Sequence, residues 1–386
     1  MQSTSNKTLF VLFLLVAIYS LIVSVYRPWH NFDMVMYVAA AKNFEESDIN
    51  ALQDFTYQAV RASVPESTYA ELTGNSNNDQ ATAAYRNQLH TDPSAFEEQL
   101  PFYHIRPLYN GAIYLLHKAG IDIVFATHLI SAVAVVVGLA LLYALSISVL
   151  GYPFAYAIPF FAFIFDVGNL AKLSTPDGMT FLVIVLSAYF YLKNKTTALL
   201  FLFPLMIGIR TDLVLYVFPF LFAMVLSKAE SRPRLAASTI ASAMAYFAIV
   251  WFSGNAGWST VFYFSFVEWL THPISMPPPS LTVDHYIQAL IPGLMGFYRD
   301  VDFQLYGLIT LCFFSMTVYG VKMRLWPGLL RSPTVLLSVV GVIFVSSHII
   351  ALPIVTNRYF IGAYLVGFFS LLILMRDYCR RERKSM

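Results

Sequence analysis

Apolar runs of near-span length alternate with short polar joints along most of the chain. The first run, Thr8 to Val25, follows Lys7 and is long enough to cross a bilayer core of about 30 Å at about 1.5 Å per residue. It leads into Tyr26-Arg27-Pro28-Trp29-His30, and the next small residues, Ala39 to Ala41, lie too far on for a cleavage site. The run therefore reads as an anchor rather than a signal peptide. Further runs cover Ile121 to Leu150, Pro153 to Phe165, Met179 to Leu192, Ala198 to Ile209, Leu213 to Leu226, Leu235 to Phe252, Phe303 to Val321, Val335 to Leu352 and Tyr359 to Met375. This pattern predicts an all-α polytopic membrane protein with about ten transmembrane helices. The runs at Pro153 and Ala198 are short, which predicts a kink, little tilt or half of a paired hairpin.

Two polar stretches interrupt the alternation. From Arg27 to Arg106 the chain is mainly polar, followed by the short apolar segment Pro107 to Leu116. That length exceeds a mere connection. Its mixed segments, such as Tyr57-Gln58-Ala59-Val60 and Phe96-Glu97-Glu98-Gln99-Leu100, predict short amphipathic helices lying on the membrane. Thr73 to Gln80 reads as disordered. The second stretch, Ser253 to Asp302, carries Trp258, Trp269, His272 and the run Pro277 to Pro279. No internal repeat is evident, so the chain reads as one integral membrane domain, residues 1–386, with a basic tail at 376–386.

Composition narrows the function classes. Hydrophobic residues make up 58% of the chain and charged residues 12%, against about 25% charged in soluble domains. A soluble fold is excluded. Net charge is +2 with no dense basic stripe outside the tail, so nucleic acid is not an expected partner. Cys312 falls in an apolar run and Cys379 in the tail, which gives no disulfide framework; Cys379 is either a free thiol or a lipidation site beside the membrane.

Alternating the spans from a cytoplasmic N-terminus gathers Lys7, Lys193, Lys195, Lys228, Arg232, Arg234, Lys322, Arg324, Arg331, Arg376 and the basic tail on one side. The positive-inside rule makes that side cytoplasmic. Asp33, Asp166, Asp177, Asp212, Glu268, Asp284, Asp300 and Asp302 fall on the other. The acidic, aromatic extracytoplasmic face is where chemistry is expected, in a plasma or inner membrane. The sequons at Asn6 and Asn194 fall inside and read as chance matches.

Asp33 stands just outside the first span, where a partly desolvated carboxyl moves toward the range of a general base; the alternative is a helix cap. Arg106 precedes a proline suited to open a helix, where a guanidinium can grip a phosphate bidentately or snorkel to headgroups. His104 beside it is a candidate contact or a structural interface residue. The joints Ser174-Thr175-Pro176-Asp177-Gly178, Arg210-Thr211-Asp212 and Asn357-Arg358-Tyr359-Phe360 carry charges that need partners at that depth. Asp33, Arg106, Asp177, Arg210 and Arg358 converge on one level of one side.

The order of these motifs, D-x-x-x-Y-x-x-x-A (Asp33, Tyr37, Ala41), R-P-L-Y (Arg106 to Tyr109), T-P-D-G, R-T-D and N-R-Y-F, resembles the GT-C superfamily of membrane glycosyltransferases. The resemblance spans about residues 8–375 and implies transfer of a sugar from a polyprenyl-phosphate-linked donor to an acceptor glycan, lipid or protein. It implies a catalytic role for Asp33 and donor-phosphate binding by Arg106, Arg210 and Arg358. Tyr37, His104, Asp177 and Asp212 are the secondary candidates. Many members carry a second acid directly after the first, where this chain has Met34, so a divalent metal is left open and no other cofactor is implied. Polar groups at a lipid-accessible cavity also suit a lipid-linked glycan flippase or another multi-pass transporter. Charges at helix tips, rather than at mid-span with repeated halves, favour surface chemistry.

Overall fold

Helix starts follow the capping chemistry written in the chain. Asn31 accepts a hydrogen bond from the Met34 amide at 3.2 Å, Asp122 from the Phe125 amide at 2.8 Å and Asp92 from the Ser94 amide at 2.9 Å, each satisfying an amide that the first helical turn leaves unpaired. Pro101 and Pro107 occupy first-turn positions, where the missing N–H costs nothing.

The computed structural model describes residues 2–76, 79–255, 257–268, 280–322 and 332–385, without side chains at 2–5 and 382–385. Trp269, His272, Pro277 to Pro279, Arg324, Arg331 and the middle of the Thr73 to Gln80 segment lie outside the described residues. Among the described residues the fold is helical, and the single β-bridge joins Trp29 to Leu173.

Helix α1 (Gln2–Tyr26) leads into a layer of seven helices: α2 (Phe32–Lys42), α3 (Ile49–Ser63), α4 (Glu66–Leu72), α5 (Gln80–Thr91), α6 (Pro93–Gln99), α7 (Pro101–His104) and α8 (Pro107–Lys118). The bundle continues with α9 (Ile123–Leu145), α10 (Ala157–Ile164), α11 (Val167–Ala171), α12 (Asp177–Leu192), α13 (Thr196–Ile209), α14 (Val214–Ser227) and α15 (Arg232–Phe252). After α16 (Trp258–Phe266) and α17 (Val283–Arg299) come α18 (Val301–Lys322), α19 (Pro333–Ala351) and α20 (Ile361–Ser385).

Among the described residues six helices are long and apolar enough to cross a membrane: Asn6–Tyr26, Ile123–Leu150, Arg232–Phe252, Val301–Val321, Pro333–Ala351 and Ile361–Arg381. Four more apolar helices are shorter, at Phe154–Ile164, Asp177–Leu192, Thr196–Ile209 and Thr211–Ser227. Large side chains stay bare on the bundle's periphery, among them Phe201, Phe222, Phe247 and Leu311, the pattern of a protein whose solvent is apolar. In contrast, 78% of the apolar window of α20 is buried. It packs against α12, α18 and α19 as the central post.

The α2–α8 layer has its own core. Every residue of α2 from Met34 to Ala41 is buried, and Leu52 and Val60 of α3, Phe96 of α6 and Tyr109 and Ile113 of α8 close around it. The buried apolar residues of α3, α6 and α8 form one cluster with α2, because a helix apolar on all sides has to be surrounded.

Close packing between α9 and α12 depends on Gly178. A β-carbon there would lie 2.8 Å from the Ser131 Cα and 2.9 Å from the Ser131 carbonyl oxygen, both backbone atoms that cannot swing aside. Gly111, in mid-α8, has nothing within 4 Å of the same position. Gly178→Ala is therefore expected to destabilise by about 1–3 kcal/mol, while Gly111→Ala gains about 0.5–1 kcal/mol from helix propensity. Unfolding of both variants in lipid nanodiscs, followed by temperature or denaturant, checks the opposite signs.

Candidate active site

Five helix joints meet at one end of the bundle, and each brings a charged side chain. The α1–α2 joint brings Asp33, the α7–α8 joint Arg106, the start of α12 Asp177, the α13–α14 joint Arg210 and Asp212, and the α19–α20 joint Arg358. The first and third are stitched together. The Trp29 amide donates to the Lys172 carbonyl at 3.0 Å, and the Ser174 hydroxyl donates to Asn31 Oδ1 at 3.0 Å.

Carboxylates and guanidiniums alternate. Arg210 forks Asp212, with Nε donating to Oδ1 at 3.0 Å and Nη2 to Oδ2 at 2.6 Å, and its Nη1 donates to Asp177 Oδ1. Arg358 Nε lies 3.3 Å from Asp177 Oδ2, and its Nη2 lies 3.7 Å from Asp33 Oδ2. The Thr175 hydroxyl completes the shell of Asp177, donating to Oδ2 at 2.6 Å. Behind Asp212, His348 Nε2 sits 3.1 Å from Oδ2. The Tyr359 ring lies 4.1 Å from the Arg210 guanidinium and 5.3 Å from that of Arg358, a cation–π seat for both.

Exposure splits the set into support and working surface. The side chains of Asp177 and Arg210 are 1% and 7% exposed, whereas that of Asp33 is 36% exposed. Burial opposes the charge of Arg358, and Asp177, Tyr359 and Asp33 outweigh it, so its pKa lies above the ordinary arginine value. Burial also pushes the phenol of Tyr103 well up, helped by the Asp33 charge. Tyr103 therefore keeps its proton and donates a hydrogen bond to Asp33 Oδ1 at 3.0 Å, while Asn31 Nδ2 donates to Oδ2 at 3.2 Å.

Arg106 differs from the other two arginines. Among the described residues no carboxylate lies within 4.0 Å of it, and its Nη1 donates to the Phe102 carbonyl at 2.7 Å. Its guanidinium stands 5.5 Å from the Tyr37 ring and 6.0 Å from the Tyr103 ring. Asp33, Tyr37, Arg106, Asp177, Arg210 and Arg358 all line one cavity of about 180 Å³. Asp212 stands behind it as the partner of Arg210.

One sequence candidate falls elsewhere. His104 points away from the charged cavity into a neighbouring pocket bounded by Ala40, Asn110 and Ile249. Residues 103 and 104 leave the short helix α7 in different directions, so only Tyr103 reaches Asp33. Tyr103, Thr175, His348 and Tyr359 are site residues that the sequence did not single out. Thr175 and Tyr359 stand inside the quoted motifs, Tyr103 stands next to the candidate His104, and His348 is a lone histidine at the end of an apolar run, the kind of intramembrane polar residue that marks a site.

Asp33, Asp177 and Asp212 are interleaved with guanidiniums, and among the described residues no group of three or more His, Cys, Asp or Glu is placed to hold a metal ion. Compared with protein-family models, curated proteins and solved structures, the chain finds no match.

The burial contrast sets an expected stability contrast. Asp177→Ala leaves two guanidiniums without their shared carboxylate and is expected to cost about 3–5 kcal/mol. Asp33→Asn, at a half-open position with retained hydrogen-bond donors, is expected to stay within about 1 kcal/mol of the parent. Denaturant unfolding in nanodiscs checks it, and equal losses would contradict the division into support and working surface.

Proposed function

We propose that this chain is a membrane glycosyltransferase that moves a sugar from a polyprenyl-phosphate-linked donor to an acceptor hydroxyl. The observation that carries the reading is Arg106, which among the described residues makes no direct ion pair and lines the same cavity as the half-open carboxylate of Asp33. A guanidinium whose donors are not taken by a carboxylate has room for a further anion, and a lipid phosphate supplies one. The motif order resembling GT-C enzymes supports the same reading by analogy, as does the bundle of apolar helices.

In this reading Asp33 accepts the proton of the acceptor hydroxyl. The freed oxygen forms the new bond to the anomeric carbon, the bond from that carbon to the phosphate oxygen breaks, and the electron pair leaves on the phosphate. Arg106 and Arg358 meet the charge that grows there, and the oxocarbenium-like transition state lies between acid and guanidinium. Tyr103 and Asn31 hold Asp33 in register. Arg210, with both prongs taken by Asp212 and Asp177, shapes the site rather than gripping phosphate, and Tyr37 offers its ring to Arg106. By analogy with GT-C enzymes the transfer inverts the anomeric centre. The active cavity faces the extracytoplasmic side of a plasma or inner membrane, and the chain crosses about ten times by the hydropathy argument, the four shorter helices included.

Transfer of labelled sugar from a panel of polyprenyl-phosphate donors, by protein in nanodiscs, tests the reading. Asp33→Asn is expected to lower turnover by about 10²–10⁴-fold with little change in KM. Arg106→Gln is expected to lower kcat/KM by about 10²–10³-fold. Full activity of Asp33→Asn removes the base, and movement of intact lipid-linked glycan across a vesicle without transfer favours a transporter.

A further inference from the structure

A second pocket, of about 350 Å³, adjoins the charged one along α2. Asp33 and Tyr37 of α2 line the first cavity, and Ala40 and Phe44 line the second. These four positions follow at intervals of four, three and four, so they form one stripe on and just beyond the helix. On the facing side Arg106 belongs to the first cavity, and Pro107 and Asn110 belong to the second.

The second pocket is mostly apolar, and among the described residues no Asp, Glu, Lys or Arg lines it. Two buried polar atoms in it lack partners: Asn110 Oδ1 and His104 Nε2. Asn110 is only 1% exposed, and its amide is oriented by Nδ2, which donates to the Tyr103 carbonyl at 2.9 Å. That leaves the oxygen free to accept. Burial lowers the pKa of His104, so the ring enters the pocket uncharged at neutral pH. A buried acceptor without a donor is destabilising, and a ligand hydroxyl would relieve it.

The mouth opens beside a crossing helix. Phe252, at the end of α15, is 86% exposed, and Phe44 is 55% exposed. Met244, one turn before Ala248 on the same stripe of α15, continues the bare apolar surface, so the pocket is continuous with the face expected to meet acyl chains.

We propose that this pocket binds the uncharged, hydroxyl-bearing end of a membrane amphiphile that slides in past Phe252. Resting on the transfer reading, the amphiphile is the acceptor, aligned along α2 with its hydroxyl end toward Asp33. The charged cavity takes the phosphate, and the neutral pocket takes the partner that brings the hydroxyl.

Photoactivatable long-chain alcohol, carboxylic acid and amine of equal length, incorporated in turn into nanodiscs holding the full chain, test the site by mass spectrometry of labelled peptides. The alcohol is expected to label the peptides bearing Phe44 and Phe252 roughly five-fold more than the acid or the amine, the worth of one recovered hydrogen bond. Ala248→Trp, which fills the pocket from an exposed position on α15, removes that preference while the fold persists, and Asn110→Leu, checked by its unfolding curve, removes it without closing the mouth. Equal labelling by all three probes, or a preference that survives Ala248→Trp, overturns the site. Labelling needs no turnover, so selective labelling of a protein that transfers no sugar upholds the pocket and removes only its role as acceptor site.

Discussion

The alternation Asp212, Arg210, Asp177, Arg358, Asp33 is the constraint on which the site end of the bundle depends. Charges removed from water are tolerated only when each has a partner and its remaining hydrogen-bonding groups are met. Asp177 meets both conditions through Arg210, Arg358 and the Thr175 hydroxyl. Because Asp177 opens α12 and its charged partners come from the α13–α14 and α19–α20 joints, one carboxylate fixes the relative position of three separate pieces of chain. Displacing any of them strands a charge.

From that anchor the chain of charges grows less buried, and its function changes with exposure. Arg210 is locked between two acids, Arg358 is shared between one buried and one half-open acid, and Asp33 ends the series with Tyr103 and Asn31 as its donors. Arg106 stands outside the series, seated on tyrosine rings. A scaffold needs pairs; an unpaired guanidinium opposite a half-open carboxylate is what a negatively charged substrate would complete. The adjoining neutral pocket has the opposite character, with unpaired polar atoms and no charge, so the two compartments along α2 suit ligands of different chemistry.

Much of this was legible because it is local. Apolar runs mark the long helices, Pro107 marks a helix start, and each charged residue of the alternating series stands in a joint between apolar runs; the cap of α2 is Asn31 rather than Asp33. Contacts that close over long distances in sequence were not. His348 meets Asp212 from another helix 136 residues away, and nothing in either run names the other. His104 and Arg106 are two residues apart, yet the turn from α7 to α8 sends them to different cavities. The mixed helices of the seven-helix layer carry the same pattern whether their apolar faces meet lipid or another helix, so the sequence did not show that α3, α6 and α8 share a core with α2.

Binding of a polyprenyl phosphate and of the matching neutral polyprenol, measured on the intact protein in nanodiscs, bears most directly on the central claim that Arg106 is an anion site. The account predicts that the phosphate binds at least about ten-fold tighter than the alcohol, the worth of a charge-assisted hydrogen bond, and that Arg106→Gln abolishes the difference while Asp33→Asn preserves it. Equal affinity for the two lipids, or a difference untouched by Arg106→Gln, would contradict it.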